Sequence, residues 1–162
     1  MTDEKKQEFV TRITNANRTE LIVILYDMFA EYVDEAAEAY NDGGKGNDDS
    51  KVALDRASDV LNHLKGDLDF SQDKELCGRL YSIYAYCQEL LAKTIYSGSF
   101  DSARDAQGLI RPLRDAFDQI SETDKSGPMM ENVPERVAGY TYGKAGVDET
   151  EIGNESNRGF FA

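Results

Sequence analysis

The stretch from Ser50 to Leu68 reads SKVALDRASDVLNHLKGDL. Its main apolar positions recur at steps of three, four, three and four residues, at Leu54, Ala57, Leu61, Leu64 and Leu68. In an α-helix this spacing places the side chains along one face, as in the seam of helices that pack side by side. The segment therefore predicts an amphipathic helix that belongs to a helical bundle.

Three further helices are predicted on either side of this one. The first begins after Asn17, because Asn17 and Glu20 match a capping box, in which each side chain bonds a free backbone N–H group. No segment before residue 124 alternates like a strand. The short loops between the helices therefore predict an all-α fold, an antiparallel up-and-down four-helix bundle. The helices expected beside the Ser50 helix cover about residues 18–40, 73–97 and 101–122.

Composition divides the chain into three parts. Residues 124–162 hold six of the thirteen glycines and two of the three prolines, and they lack helical periodicity. We therefore expect an amino-terminal arm at 1–16, the bundle at 17–123 and a flexible or irregular tail at 124–162.

The charge of the chain excludes two classes of partner. Its 162 residues include 31 Asp and Glu against 18 Lys and Arg, which gives a formal net charge of -13. A chain this acidic repels nucleic acid and anionic lipid surfaces. Its longest apolar run, Leu21 to Leu25, is far shorter than the ~20 residues of a membrane-spanning helix. With no export signal visible at the amino end, we expect a cytoplasmic protein without membrane insertion.

The sequence offers no catalytic or metal-binding constellation. His63 is the only histidine, so a site with two histidine ligands is excluded within one chain. Cys77 and Cys87 lie ten residues apart on a predicted helix, about 15 Å along its axis. A disulfide needs its Cα atoms within about 7 Å. We therefore expect no enzyme, metal or cofactor; a hydrolase that uses carboxylates alone would need a positioned pair that the sequence does not indicate.

Two predicted helices carry more apolar surface than two neighbours can cover. On the helix at 73–97, Tyr81 and Tyr86 flank the main stripe and widen it to roughly 220°. The turns from Leu21 to Leu25 are apolar nearly all round. Either the arm or the tail folds over this excess, or a partner segment occupies it as in helix-in-groove recognition. Both alternatives apply if the chain's own segment covers this surface as a placeholder that the partner displaces.

Four motifs occur in order along the predicted helices: NANRTELIVILYD at 15–27, LKGDLDFS at 64–71, LYSIY at 80–84 and LRDAF at 113–117. Together they resemble the flagellin-specific export chaperones of the FliS family. The resemblance covers about residues 9–122, with Arg18 where a proline is usual and Phe117 where a tryptophan is common.

The resemblance implies a cytoplasmic four-helix-bundle chaperone that binds the carboxy-terminal segment of flagellin. Covering that segment prevents premature polymerisation and keeps the subunit ready for type III export, so the export apparatus is a second candidate partner. The alternative is a helical homo-oligomer, a homodimer for instance, that buries the same surplus without a flagellar client. We expect the following residues to line or support the partner-binding groove: Ile13, Leu21, Leu25, Leu68, Leu80, Tyr81, Tyr84 and Phe117.

Overall fold

The computed structural model describes residues 1–43 and 47–132, and the secondary structure of these residues is helical, with no strand among them. The chain divides into two compact units, Met1–Met130 and Glu131–Ala162, and nearly all of the second lies outside the described residues, as does most of the predicted tail. The helices are α1 (Asp3–Asn15), α2 (Arg18–Gly43), α3 (Asp48–Gly66), α4 (Lys74–Ser97) and α5 (Asp101–Ser121), followed by a 3₁₀ turn at Met129–Asn132.

The sequence predicts four helices, and the structure adds a fifth, α1, in the arm. Its first turn is capped by Thr2, whose hydroxyl oxygen accepts a hydrogen bond from the Lys5 N–H. Helices α2 to α5 begin and end close to the predicted residues. Within the described part of the chain, no helix combines the length and apolar character needed to cross a bilayer.

Local signals in the sequence fix the helix ends. At the start of α2, the Glu20 N–H donates to Asn17 Oδ1 at 2.8 Å and the Asn17 N–H donates to Glu20 Oε2 at 2.9 Å. This is the reciprocal capping box that the sequence predicts. At the end of α4, Gly98 adopts a φ of 68°, a left-handed conformation that glycine tolerates better than other residues.

Helices α2 to α5 surround one apolar core. Helix α2 packs on α3 and α5, and α4 packs on the same two helices from the other side. The seam of α3 faces this core, with Leu54, Ala57, Leu61 and Leu64 buried. Leu68 follows the end of α3 and is half-buried against the same cluster.

The centre of the core contains a polar pair. The hydroxyl oxygens of Tyr26 on α2 and Tyr84 on α4 lie 2.5 Å apart, and both side chains are buried. Burial raises the pKa of both tyrosines above the ordinary value, because the phenolate would lose its hydration. The Phe117 ring packs 5.8 Å from the Tyr26 ring. The pair therefore joins α2 to α4 across the core through a hydrogen bond between neutral hydroxyls.

Removing one hydroxyl of this pair should lower the free energy of unfolding nearly as much as removing both. Tyr26→Phe or Tyr84→Phe alone leaves the other buried hydroxyl without a partner, which lowers the free energy of unfolding by about 1–2 kcal/mol. The double variant has no unsatisfied hydroxyl, so its loss should be smaller than the sum of the two single losses. Urea denaturation followed by circular dichroism measures all three; additive losses would contradict the pairing.

Candidate functional site

The amino-terminal arm lies along α2. Phe9 is the buried side chain of α1 and packs with Ala16 and Ile24. Half-buried Ile13 on α1 and Leu21 and Met28 on α2 pack against this small cluster. We call Leu21, Ile24 and Met28 the arm-covered surface. The arm thus covers part of the apolar surplus that the sequence places at the opening of α2.

Ion pairs fasten the arm along its polar edge. Arg12 Nη2 lies 2.6 Å from Asp27 Oδ2, and the Lys5 ammonium pairs with the Glu31 carboxylate. On the other side of Asp27, Arg114 Nε from α5 donates to Oδ1 at 2.9 Å. This hydrogen bond raises the pKa of Arg114 above its ordinary value. Asp27 therefore joins three helices through one carboxylate.

The segment after α5 holds the junction between α1 and α2. The Thr19 hydroxyl donates to Asp124 Oδ2 at 2.6 Å, and the Met129 N–H donates to the Ala16 carbonyl oxygen at 2.9 Å. Hydrogen bonds from Ser126, and then from Thr19, lower the pKa of Asp124 to about 2. Asp124 is therefore ionised at neutral pH. It anchors the first residues of the predicted tail to the junction between α1 and α2.

A second apolar surface stays uncovered in the described part of the molecule. Leu76 and Tyr86 on α4 and Ile120 on α5 expose 51%, 52% and 52% of their surfaces. Ile83 and Leu113 are half-buried beside them, and Leu109 is also exposed. We call this set the α4–α5 strip: Leu76, Ile83, Tyr86, Leu109, Leu113 and Ile120.

The strip consists of one row of residues on α4 and one row on α5. Both rows lie along the outer edge of the contact between these two helices. The opposite flank of α4 faces α3, where Gln88 Nε2 donates to the Ser58 carbonyl oxygen at 3.1 Å. The opposite flank of α5 faces α2 through Arg114. Because each strip residue lies on the flank turned away from those contacts, the two rows border one seam. The seam forms an elongated apolar surface.

The predicted groove residues fall into four groups rather than one. Ile13 and Leu21 lie at the arm and the arm-covered surface. Leu80 and Tyr84 are buried in the core, so they can only support a groove from beneath. Tyr81 is half-exposed on the α3 side of α4, with the Lys65 ammonium 5.4 Å from its ring centre. Half-buried against the core are the remaining three, Leu25, Leu68 and Phe117.

The predicted groove residues include none of the four exposed residues of the strip: Leu76, Tyr86, Leu109 and Ile120. The signal was present, because Leu76, Leu109 and Ile120 belong to the apolar rows of their helices and Tyr86 flanks such a row. Periodicity alone cannot tell which edge of a row turns away from the neighbouring helix.

Two clefts of about 320 Å³ and 330 Å³ flank the Asp27 ion pairs, one lined by Arg12, Glu20 and Ile24, the other by Tyr26, Ile110 and Arg114. Burial raises the pKa of the Cys87 thiol to about 11, which leaves it protonated and unreactive at neutral pH. No cluster of His, Cys, Asp and Glu in the described residues is suited to hold a metal ion.

Loosening the arm should leave the core intact. Phe9→Ala removes the main apolar anchor of α1, which amounts to about 2 kcal/mol of docking free energy. Amide hydrogens of α1 should then exchange about 30-fold faster, while those of α3 and α4 keep their protection. Hydrogen exchange read by mass spectrometry measures both. Val10→Ala is the matched control, because Val10 is 55% exposed; equal acceleration in α3 would contradict an independently docked arm.

Comparison with known proteins assigns the chain to a family. A family model described as flagellar protein FliS matches residues 1–124, a range that includes all five helices. No curated protein sequence matches the chain. Because the family model spans well over half of the sequence, the chain belongs to the FliS family of flagellar chaperones.

Proposed function

We propose that this protein is a cytoplasmic export chaperone that binds the carboxy-terminal segment of flagellin. It covers a segment that would otherwise drive filament assembly, and it keeps the subunit available to the type III export apparatus. Helices α2 to α5 serve as a rigid antiparallel four-helix bundle, and the protein performs no catalysis. The exposed α4–α5 strip is the observation that carries the proposal.

Physical considerations support a binding role for this strip. Soluble monomers seldom keep contiguous apolar side chains in water unless the surface meets a partner. The formal net charge of -13 keeps such a chain dispersed while the strip is empty. The strip is therefore a surface that stays ready for its client without promoting aggregation.

The dimensions of the strip suit an amphipathic helix. Leu76 and Tyr86 are ten residues apart on α4, which corresponds to about 15 Å along the helix axis. A client helix of about three turns can lay anchors at positions i, i+3, i+4 and i+7 along such a seam. A disordered client loses conformational entropy when it orders, so it needs an extended apolar footprint of this kind rather than one small pocket.

A second copy of this chain is the competing occupant. A symmetric dimer would bury an apolar strip against its own counterpart, so the same exposed residues favour a helical homo-oligomer as the second candidate function. The two functions differ in what assembles: a one-to-one complex with flagellin, or a dimer whose population rises with protein concentration.

Strip variants test the flagellin assignment. A peptide from the carboxy-terminal region of flagellin should bind one-to-one at micromolar concentration and gain helicity by circular dichroism. Tyr86→Ser and Ile120→Ser each remove a strip anchor, and each should weaken binding about tenfold by calorimetry. Val52→Ser is the control, because Val52 is also apolar and 47% exposed but lies on α3.

Two results would reject this function. The first is a lack of peptide binding together with a dimer that forms with increasing concentration. The second is equal loss of binding in the Val52 control, which would show a non-specific apolar interaction.

The arm provides a separate test of client entry. If the arm is a placeholder on the arm-covered surface, removing residues 1–13 frees the site in every molecule, and the capping residue Asn17 remains to start α2. The apparent affinity for the flagellin peptide should then rise about tenfold, since it is limited by the fraction of molecules with an open site. Calorimetry and stopped-flow measure this; weaker binding would show that the arm is part of the site.

A further inference from the structure

In the ion pairs between the arm and α2, the arm supplies the positive charges and α2 supplies the negative charges. Lys5 and Arg12 on α1 supply the cations, and Glu31 and Asp27 on α2 supply the anions. Because the pairing partner moves backward along α2 as the chain advances along α1, the two helices run antiparallel. The arm-covered surface is thus an apolar row with an acidic edge, and its present occupant is an amphipathic helix with a basic edge.

Asp27 links the acidic edge of the arm-covered surface to the four-helix core. Its carboxylate receives Arg12 from the arm and Arg114 from α5, and Arg114 Nη1 also donates to Asp118 Oδ2 at 2.9 Å. Arg114 Nη1 also lies 3.7 Å from Asp115 Oδ1, so with the arm in place two arginines face three aspartates. When Arg12 leaves, one arginine serves three carboxylates, and the net charge of the group changes from minus one to minus two.

Burial makes that imbalance matter. With the arm docked, the Asp27 side chain exposes only 23% of its surface, so a segment that takes the place of the arm and covers Asp27 to the same extent leaves water unable to compensate the carboxylate fully. The two clefts beside Asp27 lie on either side of it along α2 and α5. A neutral or acidic segment laid over Asp27 would remove more of its remaining hydration and supply no cation.

We infer that Asp27 is a specificity-determining residue: the client segment that replaces the arm brings a basic side chain to it in the place of Arg12. The arm gives the pattern, with apolar anchors at Phe9 and Ile13 and the cation at Arg12, so the incoming helix carries an apolar residue, a basic residue three positions later and an apolar residue after that. This inference rests on the proposed function, in which a client displaces the arm.

The test uses the full chain with Arg12→Gln as the background. In that background the arm no longer competes for Asp27, so a further Asp27→Asn change reports on the client alone. Arg12→Gln by itself should tighten binding of the flagellin carboxy-terminal peptide a few-fold. Adding Asp27→Asn should then weaken it about fivefold at low salt, with the difference shrinking at high salt.

Two controls isolate the charge contact. Asp55→Asn in the same background removes an equal charge from an exposed position on α3 and should leave the affinity unchanged. A flagellin peptide with each Lys and Arg replaced by Gln should bind the background chain equally well with and without the Asp27→Asn change. If the unmodified peptide also binds both chains with equal affinity, the inference is overturned while the flagellin assignment stands.

A second probe keeps the inference testable if no flagellin peptide binds, the result that rejects the proposed function. A peptide copying residues 1–16 is added to the Phe9→Ala/Arg12→Gln chain, whose own arm is loosened. Fluorescence anisotropy should show binding that falls about fivefold with Asp27→Asn, and also when the peptide's own Arg12 is replaced by Gln. If neither change alters the affinity of the peptide, the acidic edge does not select for a basic side chain.

Discussion

A helix that packs between two neighbours can bury only the arc of its surface that faces them, and most of this structure follows from that limit. In α4 the arc toward α3 and α5 holds Leu80, Tyr84 and Leu91, all buried. The apolar residues continue past both edges of the arc, so Tyr81 and Tyr86 remain about half exposed. The surplus cannot be removed by closer packing, because α4 is already packed against both α3 and α5.

Helices α2 and α4 both carry apolar surface that their neighbours in the core do not cover, but this surface is covered on α2 and exposed on α4. On α2, the arm buries Ile24 and shields Leu21 and Met28, and ion pairs at Asp27 and Glu31 fix its position. On α4, the outer flank stays exposed among the described residues. One surface is therefore occupied by the chain itself and one is left free, an arrangement suited to a client that engages the open surface before it competes for the covered one.

The sequence predicts the helices better than it predicts the site. The capping box at Asn17 and the seam from Leu54 to Leu64 are local signals, and the structure confirms both of them. The pairing of Tyr26 with Tyr84 and of Arg12 with Asp27 joins residues on different helices, and no spacing rule specifies it. For the same reason the sequence predicts that Tyr84 lines or supports the groove but does not predict its hydrogen bond to the Tyr26 hydroxyl inside the core.

The arm has to be a weak occupant if it is to be displaced, and its contacts are consistent with that. Its burial depends mainly on Phe9, and its ion pairs are partly exposed, with 34% of the Arg12 side chain open to water. Pairs of this kind contribute at most about 1 kcal/mol each. A tethered segment nevertheless rebinds at high effective concentration, so a free peptide of equal quality could not displace it. In the proposed function, a client that also lies on the α4–α5 strip would gain contacts that the arm does not make, and this added apolar area would allow it to displace the arm from the shared surface.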